Sequence, residues 1–154
     1  MRKSNIAKRV ASPDPKFNNP TIGKFINYIM VEGKKSVARR VVYGAFDIIA
    51  EKTKKDPIEI FDEALKNAAP LMELKSRRVG GANYQVPLQV RGERRSIIAM
   101  KWIINAAQAK KGAPMAKKLS DELMAAARNE GAAIKKKEDT HRMAQANRAF
   151  SHFA

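Results

Sequence analysis

Basic side chains crowd one short segment of the chain, EGKKS at residues 32–36 followed by Arg39 and Arg40. They stand at the predicted start of a helix, where the macrodipole disfavours each cation by about 0.3–1 kcal/mol. A bound anion would offset this cost, and our hypothesis is an RNA phosphate held by lysine side chains and free backbone N–H groups. A solvated run of surface charge explains this segment equally well.

A second basic cluster surrounds the segment ELKSRRVGGANYQVPLQVRGERR at residues 73–95. Its residues alternate with a period of two around Gly80 and Gly81, which predicts a β-hairpin with the cluster gathered at its base. An isolated hairpin is marginally stable in water, so this one packs on helices, is ordered by a partner, or both. Tyr84 would stack on a base or pack across the strands. The basic residues of this cluster are Lys75, Arg77, Arg78, Arg91, Arg94 and Arg95. The acidic residues are Glu73 and Glu93.

Groups suited to catalysis are few. The two histidines, His141 and His152, both stand near the end of the sequence, and there is no cysteine. Three neighbouring carboxylates are Glu59, Asp62 and Glu63. They fall in the first turns of a predicted helix, where negative charge is favoured for structural reasons. The GKKS at residues 33–36 lacks the upstream glycine and the preceding strand of a phosphate-binding P-loop. The sequence therefore predicts neither an enzyme nor a metal or cofactor site.

The overall charge favours a polyanionic partner. The chain has 154 residues, with 31 lysines and arginines against 15 acidic residues, a formal net charge of +16 and a pI near 10.3. A membrane surface is the competing polyanion, but no stretch approaches about 18 uninterrupted apolar residues, and the basic N-terminus lacks the apolar region of a secretory signal. Nucleic acid is the better partner. The length predicts one helical domain at residues 20–154 behind a basic arm at residues 1–19.

Hydrophobic periodicity predicts a mainly α fold, a bundle of about six helices with one extended β-hairpin at about residues 71–91, between helices three and four. Trp102 lies on the predicted fourth helix, which is apolar around most of its circumference, and is expected to be a core residue. Met115 is likewise expected to be a packing residue first. The helices are predicted from Thr21 to Met30, Val37 to Thr53, Pro57 to Ala68, Ser96 to Lys110, Met115 to before Gly131, and around Met143 to Phe153 after KKKED at residues 135–139.

Several motifs together resemble those of the bacterial small-subunit ribosomal protein seven family, from about residue 3 to residue 152. The hairpin motif is the most specific of them. Gly92 stands where many members of that family have proline. The motifs are PDPKF at 13–17, NYIMVEGKKS at 27–36, ELKSRRVGGANYQVPLQV at 73–90, RRSIIAMKWI at 94–103 and HRMAQANRAF at 141–150.

This resemblance implies a bundle of six helices with an extended hairpin, and a cytoplasmic protein of the small ribosomal subunit. Such a protein is a primary binder of small-subunit rRNA that nucleates assembly of the head. Its hairpin lies near the exit-site tRNA and the mRNA path, and small-subunit proteins nine and eleven are its neighbours. The competing interpretation is a free-standing basic architectural DNA-binding protein, and an RNA-modifying enzyme is disfavoured.

The resemblance also assigns binding residues by position. The tRNA contact would fall on Gly80, Gly81, Ala82, Asn83 and Tyr84, with the terminal helix around residues 141–153. The rRNA-facing set is Arg2, Lys3, Lys8, Arg9, Lys34, Lys35, Ser36, Arg77, Arg78, Arg91, Arg94, Arg95, Met115, Lys135, Lys136, Lys137 and Arg142.

Overall fold

A computed structural model describes residues 12–153. In this range the chain forms six α-helices, one antiparallel hairpin between the third and fourth helices, and a short 3₁₀ helix, which confirms the predicted fold class. The described residues divide into two compact units at the boundary between Arg39 and Arg40. The elements are α1 (Pro20–Ile29), α2 (Lys35–Thr53), α3 (Pro57–Ala68), β1 (Met72–Val79), β2 (Ala82–Gln89), α4 (Glu93–Ala109), α5 (Met115–Ala127), α6 (Ala132–Ala146) and the C-terminal 3₁₀ helix (Arg148–Phe153).

In the first unit, two short polar side chains shape the entry into α1. The buried carboxylate of Asp14 accepts hydrogen bonds from the backbone N–H groups of Lys16 and Phe17, which closes a turn. Asn19 then caps α1, because its Oδ1 accepts from the N–H of Thr21 at 2.8 Å and Pro20 occupies the first helical position. This is the usual chemistry of a helix start, where orphan N–H groups need an acceptor.

The core of the second unit is built around α4, which packs against α3, α5 and α6, as its apolar circumference predicted. Phe46 of α2 and Phe61 of α3 meet with ring centroids 5.6 Å apart, and both are fully buried. Asp56 caps α3 by accepting from the N–H of Ile58 at 2.9 Å. A contiguous apolar core of this kind is the main source of stability for a helical unit of this size.

The hairpin closes through a two-residue turn, with Val79 paired to Ala82. Gly80 and Gly81 have φ values of +56° and +88°, and positive φ at both central residues is what a tight hairpin turn with the right twist requires. Towards the base, the adjacent residues Val86 and Pro87 are both buried. Because neighbouring residues of a strand point to opposite faces, both faces of the hairpin are covered there.

Three sequence predictions differ from the structure. The apolar period of α2 predicted a buried stripe that includes Val37 and Val41, but Ala38, Val42 and Phe46 are buried whereas Val37 is 50% exposed. The sixth helix spans Ala132–Ala146 and includes the 135–139 segment, which had been placed before it, and its predicted C-terminal part is the separate 3₁₀ helix. Trp102 was expected in the core but is only half-buried. In α2 and α4 several apolar residues at adjacent positions allowed more than one choice of buried face, whereas the apolar stripe of α6 is weak.

Candidate nucleic-acid interface

A bidentate ion pair fastens the base of the hairpin to the start of α4. Arg94 donates from Nε to Oε1 of Glu73 at 2.9 Å and from its terminal nitrogen to Oε2 at 2.7 Å. The hydrogen bond to Glu73 and the charge of that carboxylate raise the pKa of Arg94 above its usual value. Two parallel bonds between planar groups fix direction as well as distance. Arg94, predicted to bind rRNA, therefore also has a structural role.

The next arginine makes a second link at the same place. Arg95 is half-buried, and its Nε donates to the backbone carbonyl of Pro70 at 3.2 Å, which ties α4 to the end of the α3 to β1 connection. Arg91 lies between β2 and α4 and is exposed. Arg91, Arg94 and Arg95 are thus grouped at the hairpin base, as the sequence predicted.

The remaining hairpin arginines lie elsewhere. The strand register pairs Arg77 with Tyr84 and Arg78 with Asn83, so both belong to the distal half of the hairpin. Arg77 follows Glu73 by four positions along the strand, about 13 Å at the usual rise per residue. The expectation that all six basic residues gather at the base is therefore wrong, because strand geometry carries β1 outward by its own length. Both arginines are exposed, and neither makes an ion pair within residues 12–153.

The hairpin tip presents mostly backbone and small polar groups. Gly80, Gly81, Ala82 and Asn83 are exposed. Tyr84 is half-buried, and its ring lies 5.1 Å from that of Phe150, centroid to centroid, with the planes tilted by 50°. Of the two roles considered for Tyr84, the structure thus shows packing, although against the C-terminal 3₁₀ helix and not across the strands.

The basic run at the start of α6 divides into two kinds of residue. Lys135 and Lys136 are exposed, whereas Lys137 donates from Nζ to the carbonyl of Asn67 at 2.6 Å and so joins α6 to the end of α3. Arg142 is exposed and pairs with Asp139 one turn earlier. Only two of the three lysines in the run therefore present their charge fully to solvent.

His141, one turn after Lys137, has a contact that sequence reasoning missed. Its Nε2 accepts a hydrogen bond from the backbone N–H of Leu71 at 3.0 Å. The two residues are far apart in sequence, and no local pattern announces such a pair. The imidazole borders a cleft of about 430 Å³ between the hairpin base and α6, which Met72, Pro87 and Arg148 also line.

In the segment before α2, in the first unit, the contacts of the lysines differ from those expected for the RNA phosphate site predicted from the sequence. Lys34 pairs with Glu32 at 2.8 Å, and the N–H of Lys35 donates to the carbonyl of Gly33 at 2.8 Å. That N–H is therefore not available to a phosphate, which weakens the backbone part of the proposed anion site. The side chains of Lys34 and Ser36 are exposed and that of Lys35 is half-buried.

The other predicted residues are distributed as follows. Met115 is the first residue of α5 and is half-buried. Arg2, Lys3, Lys8 and Arg9 lie outside the described residues. Within residues 12–153, no cluster of three or more histidines and carboxylates could hold a metal ion. No helix in this same range combines the length and the apolar character needed to cross a membrane.

Comparison with known proteins gives one consistent family. The model of the family described as ribosomal protein S7p/S5e matches residues 1–148. The protein named small ribosomal subunit protein uS7 of Thermotoga maritima is 56% identical over 153 residues, covering 99% of each chain. Its namesake from Teredinibacter turnerae is 56% identical over 152 residues, covering 99% of this chain and 97% of the relative. The Cellvibrio japonicus protein of that name is 55% identical with the same coverage.

Proposed function

The chain belongs to the ribosomal protein S7p/S5e family, and on that premise we propose that it is a structural component of the small ribosomal subunit that binds small-subunit rRNA. The observation that carries the proposal is near-complete coverage of relatives that bear a small-subunit name. The alternative, a free-standing DNA-binding protein, is not supported, since those relatives are named as ribosomal proteins.

The hairpin supplies the physical means of reaching RNA. Arg94 and Arg95 are engaged with Glu73 and Pro70 at the base, so the arm has a fixed origin on α4. Arg77 and Arg78 then project on the distal half with their charge exposed. Arginine on a supported element suits phosphate contact, because the backbone is already ordered and the planar guanidinium presents its donors in a fixed geometry.

The finer assignments belong to the same proposal. The rRNA contacts would use Arg77, Arg78 and Arg91, the exposed lysines Lys135 and Lys136, and the N-terminal arm. The tip at residues 80–84 would reach the exit-site tRNA and the mRNA path, small-subunit proteins nine and eleven would be neighbours, and binding would nucleate head assembly in the cytoplasm. We also propose that the chain works without catalysis. The support is the family membership together with an exposed, basic arm.

The rRNA part is tested by binding at several salt concentrations. Each phosphate contact contributes about 0.9 to the slope of log affinity against log salt on a duplex, and somewhat less on a single strand. The double variant Arg77→Ala/Arg78→Ala is therefore expected to lower the slope by about 1.4–1.8. The matched control is Lys55→Ala/Lys66→Ala, which removes the same charge from exposed positions around α3 and should change the slope less. Equal slopes for both variants, or duplex DNA competing as well as rRNA, would contradict the proposal.

The role of the arm is tested by deletion. Removing residues 76–86 retains Glu73 and Arg94, the residues of the ion pair at the base, and takes away the arm beyond them together with the buried Val86. If the arm serves assembly, head assembly will be impaired. If it contacts the exit site, subunits will assemble but tRNA retention or reading-frame accuracy will change. Subunits normal in both respects would overturn the assignment of the arm.

A further inference from the structure

A groove between α4 and α6 has a chemistry that the hairpin does not explain. It has a volume of about 300 Å³ and is lined by Trp102, Asn105 and Ala106 of α4 and by Ala132 and Lys136 of α6. The alanines leave open the space that longer side chains would fill. The lining residues carry one positive charge and no negative charge.

Trp102 is the feature that sets this groove apart. It is the one tryptophan of the chain, and part of its surface reaches solvent while its neighbours Ile103 and Ile104 are buried. An indole that borders an open groove offers an aromatic surface to a flat ligand.

The surrounding groups match the parts of a nucleotide. An aromatic ring stacks with any base because every base has a π-face. The exposed amide of Asn105 can both donate to and accept from a base edge, and the exposed ammonium of Lys136 suits a phosphate. We propose that this groove, called here the Trp102 groove, receives one unpaired nucleotide of the bound RNA, with its base against Trp102 and its phosphate near Lys136.

The inference rests on the proposed function, since it names a contact within that RNA complex. Position favours RNA over a protein neighbour. Lys136, which is proposed above to contact rRNA, lines the groove together with Trp102, so RNA bound at this lysine lies within reach of the indole. Lys135 stands beside Lys136 on the exposed side of α6, and the buried carboxylate near the start of that helix, Glu122, is already paired with Lys110 at 2.7 Å. The local field therefore favours an anionic ligand.

The single tryptophan makes the test direct, because all indole fluorescence reports this groove. Full-length protein is titrated with small-subunit rRNA, and Trp102 emission and its quenching by acrylamide are recorded. When RNA binds, we expect Trp102 emission to fall and its quenching by acrylamide to weaken. Loss of one base stack corresponds to about a tenfold or greater loss of affinity, which is the expectation for Trp102→Leu.

Variants that keep Trp102 show whether a loss of binding comes from the groove and not from misfolding. Lys136→Glu is expected to weaken binding and to reduce the change in emission. Lys66→Glu makes the same charge change at an exposed position of α3 that does not line the groove, and should leave the change in emission intact. If wild-type protein binds rRNA while emission and acrylamide access stay constant, or if the two variants behave alike, the groove is not a nucleotide site although the proposed function stands.

Protection of Trp102 in assembled subunits but not with rRNA alone would overturn the inference in favour of a protein neighbour. Failure of wild-type protein to bind rRNA would overturn the proposed function and this site with it.

Discussion

The backbone N–H of Leu71 donates a hydrogen bond to Nε2 of His141 across 3.0 Å, so an imidazole on α6 holds the chain where it enters the hairpin. This bond needs Nε2 to be unprotonated. Partial burial, and then the charge of Lys137, lower the pKa of His141 below its ordinary 6.5, which favours that form. Arg148, which borders the same cleft, adds a further positive charge.

Stability is therefore expected to depend on pH through His141. With its pKa lowered by folding, the unfolded chain takes up the proton first as pH falls. The contribution is complete above about pH 6.5 and is lost as pH drops through the lower folded pKa. In urea unfolding between pH 5 and 7.5, His141→Gln should reduce the slope of stability against pH relative to the wild-type protein. An unchanged slope in His141→Gln would contradict the prediction.

A buried carboxylate is expected to be the most sensitive polar side chain of the second unit. Glu122 is fully buried; its Oε1 accepts from the N–H of Ala133 at 3.0 Å, and its Oε2 forms an ion pair with Lys110 that is not a directed hydrogen bond. Glu122→Ala leaves a buried donor unsatisfied and should cost about 1–3 kcal/mol. Asp121→Ala, which removes an exposed pair with Lys52, should cost about 0–1 kcal/mol. Similar losses in the two variants, measured by urea unfolding, would refute the role given to Glu122.

Gly131 is expected to tolerate no side chain. Its φ is +95°, and a Cβ there would lie 2.9 Å from Oε1 of Glu122 and 3.2 Å from Cβ of Ala125. Gly112 has a φ of +79° with nothing within 4 Å of the same atom. Backbone strain of about 1–3 kcal/mol applies to alanine at both positions, so Gly131→Ala should be the more damaging change. Calorimetry of both variants measures the difference, and equal melting temperatures would show that the contact with Glu122 is unimportant.

The ring pair of Tyr84 and Phe150 is expected to steady the hairpin. Pairs of this geometry contribute about 0.5–1.5 kcal/mol beyond area burial. In a double-mutant cycle with Tyr84→Leu and Phe150→Leu, the coupling should fall in that range, and amide exchange in residues 82–86 should accelerate in each single variant. If the two substitutions have additive effects on stability and leave amide exchange unchanged, the C-terminal 3₁₀ helix does not stabilise the hairpin.

The sequence predicted the positions of the helices and strands better than it predicted which face of each helix is buried. Gly80 beside Gly81 is a local signal, since glycine acts on its own backbone, and the predicted hairpin turn is found in the structure. The burial of Val42 in place of Val37 depends on what packs against α2, which periodicity does not encode. The start of α6 at Ala132 was not predicted, because the apolar stripe of this helix is weak.

The candidate site was predictable in part. Charge alone marked the hairpin arginines, but it could not tell Arg94, which pairs with Glu73, from Arg77, which pairs with no acid in the described residues. That distinction follows from strand register. His141 and Trp102 acquire their surroundings from residues distant in sequence, so neither could be assigned a role before the fold was known.

A crosslink map on assembled small subunits tests the central claim most directly. The distal arginines, Arg77 and Arg78, and the exposed lysines, Lys135 and Lys136, should crosslink to small-subunit rRNA, while exposed Lys66 of α3 should not. Crosslinks confined to α3, or a chain that never enters the subunit, would contradict an RNA-binding arm on a helical scaffold.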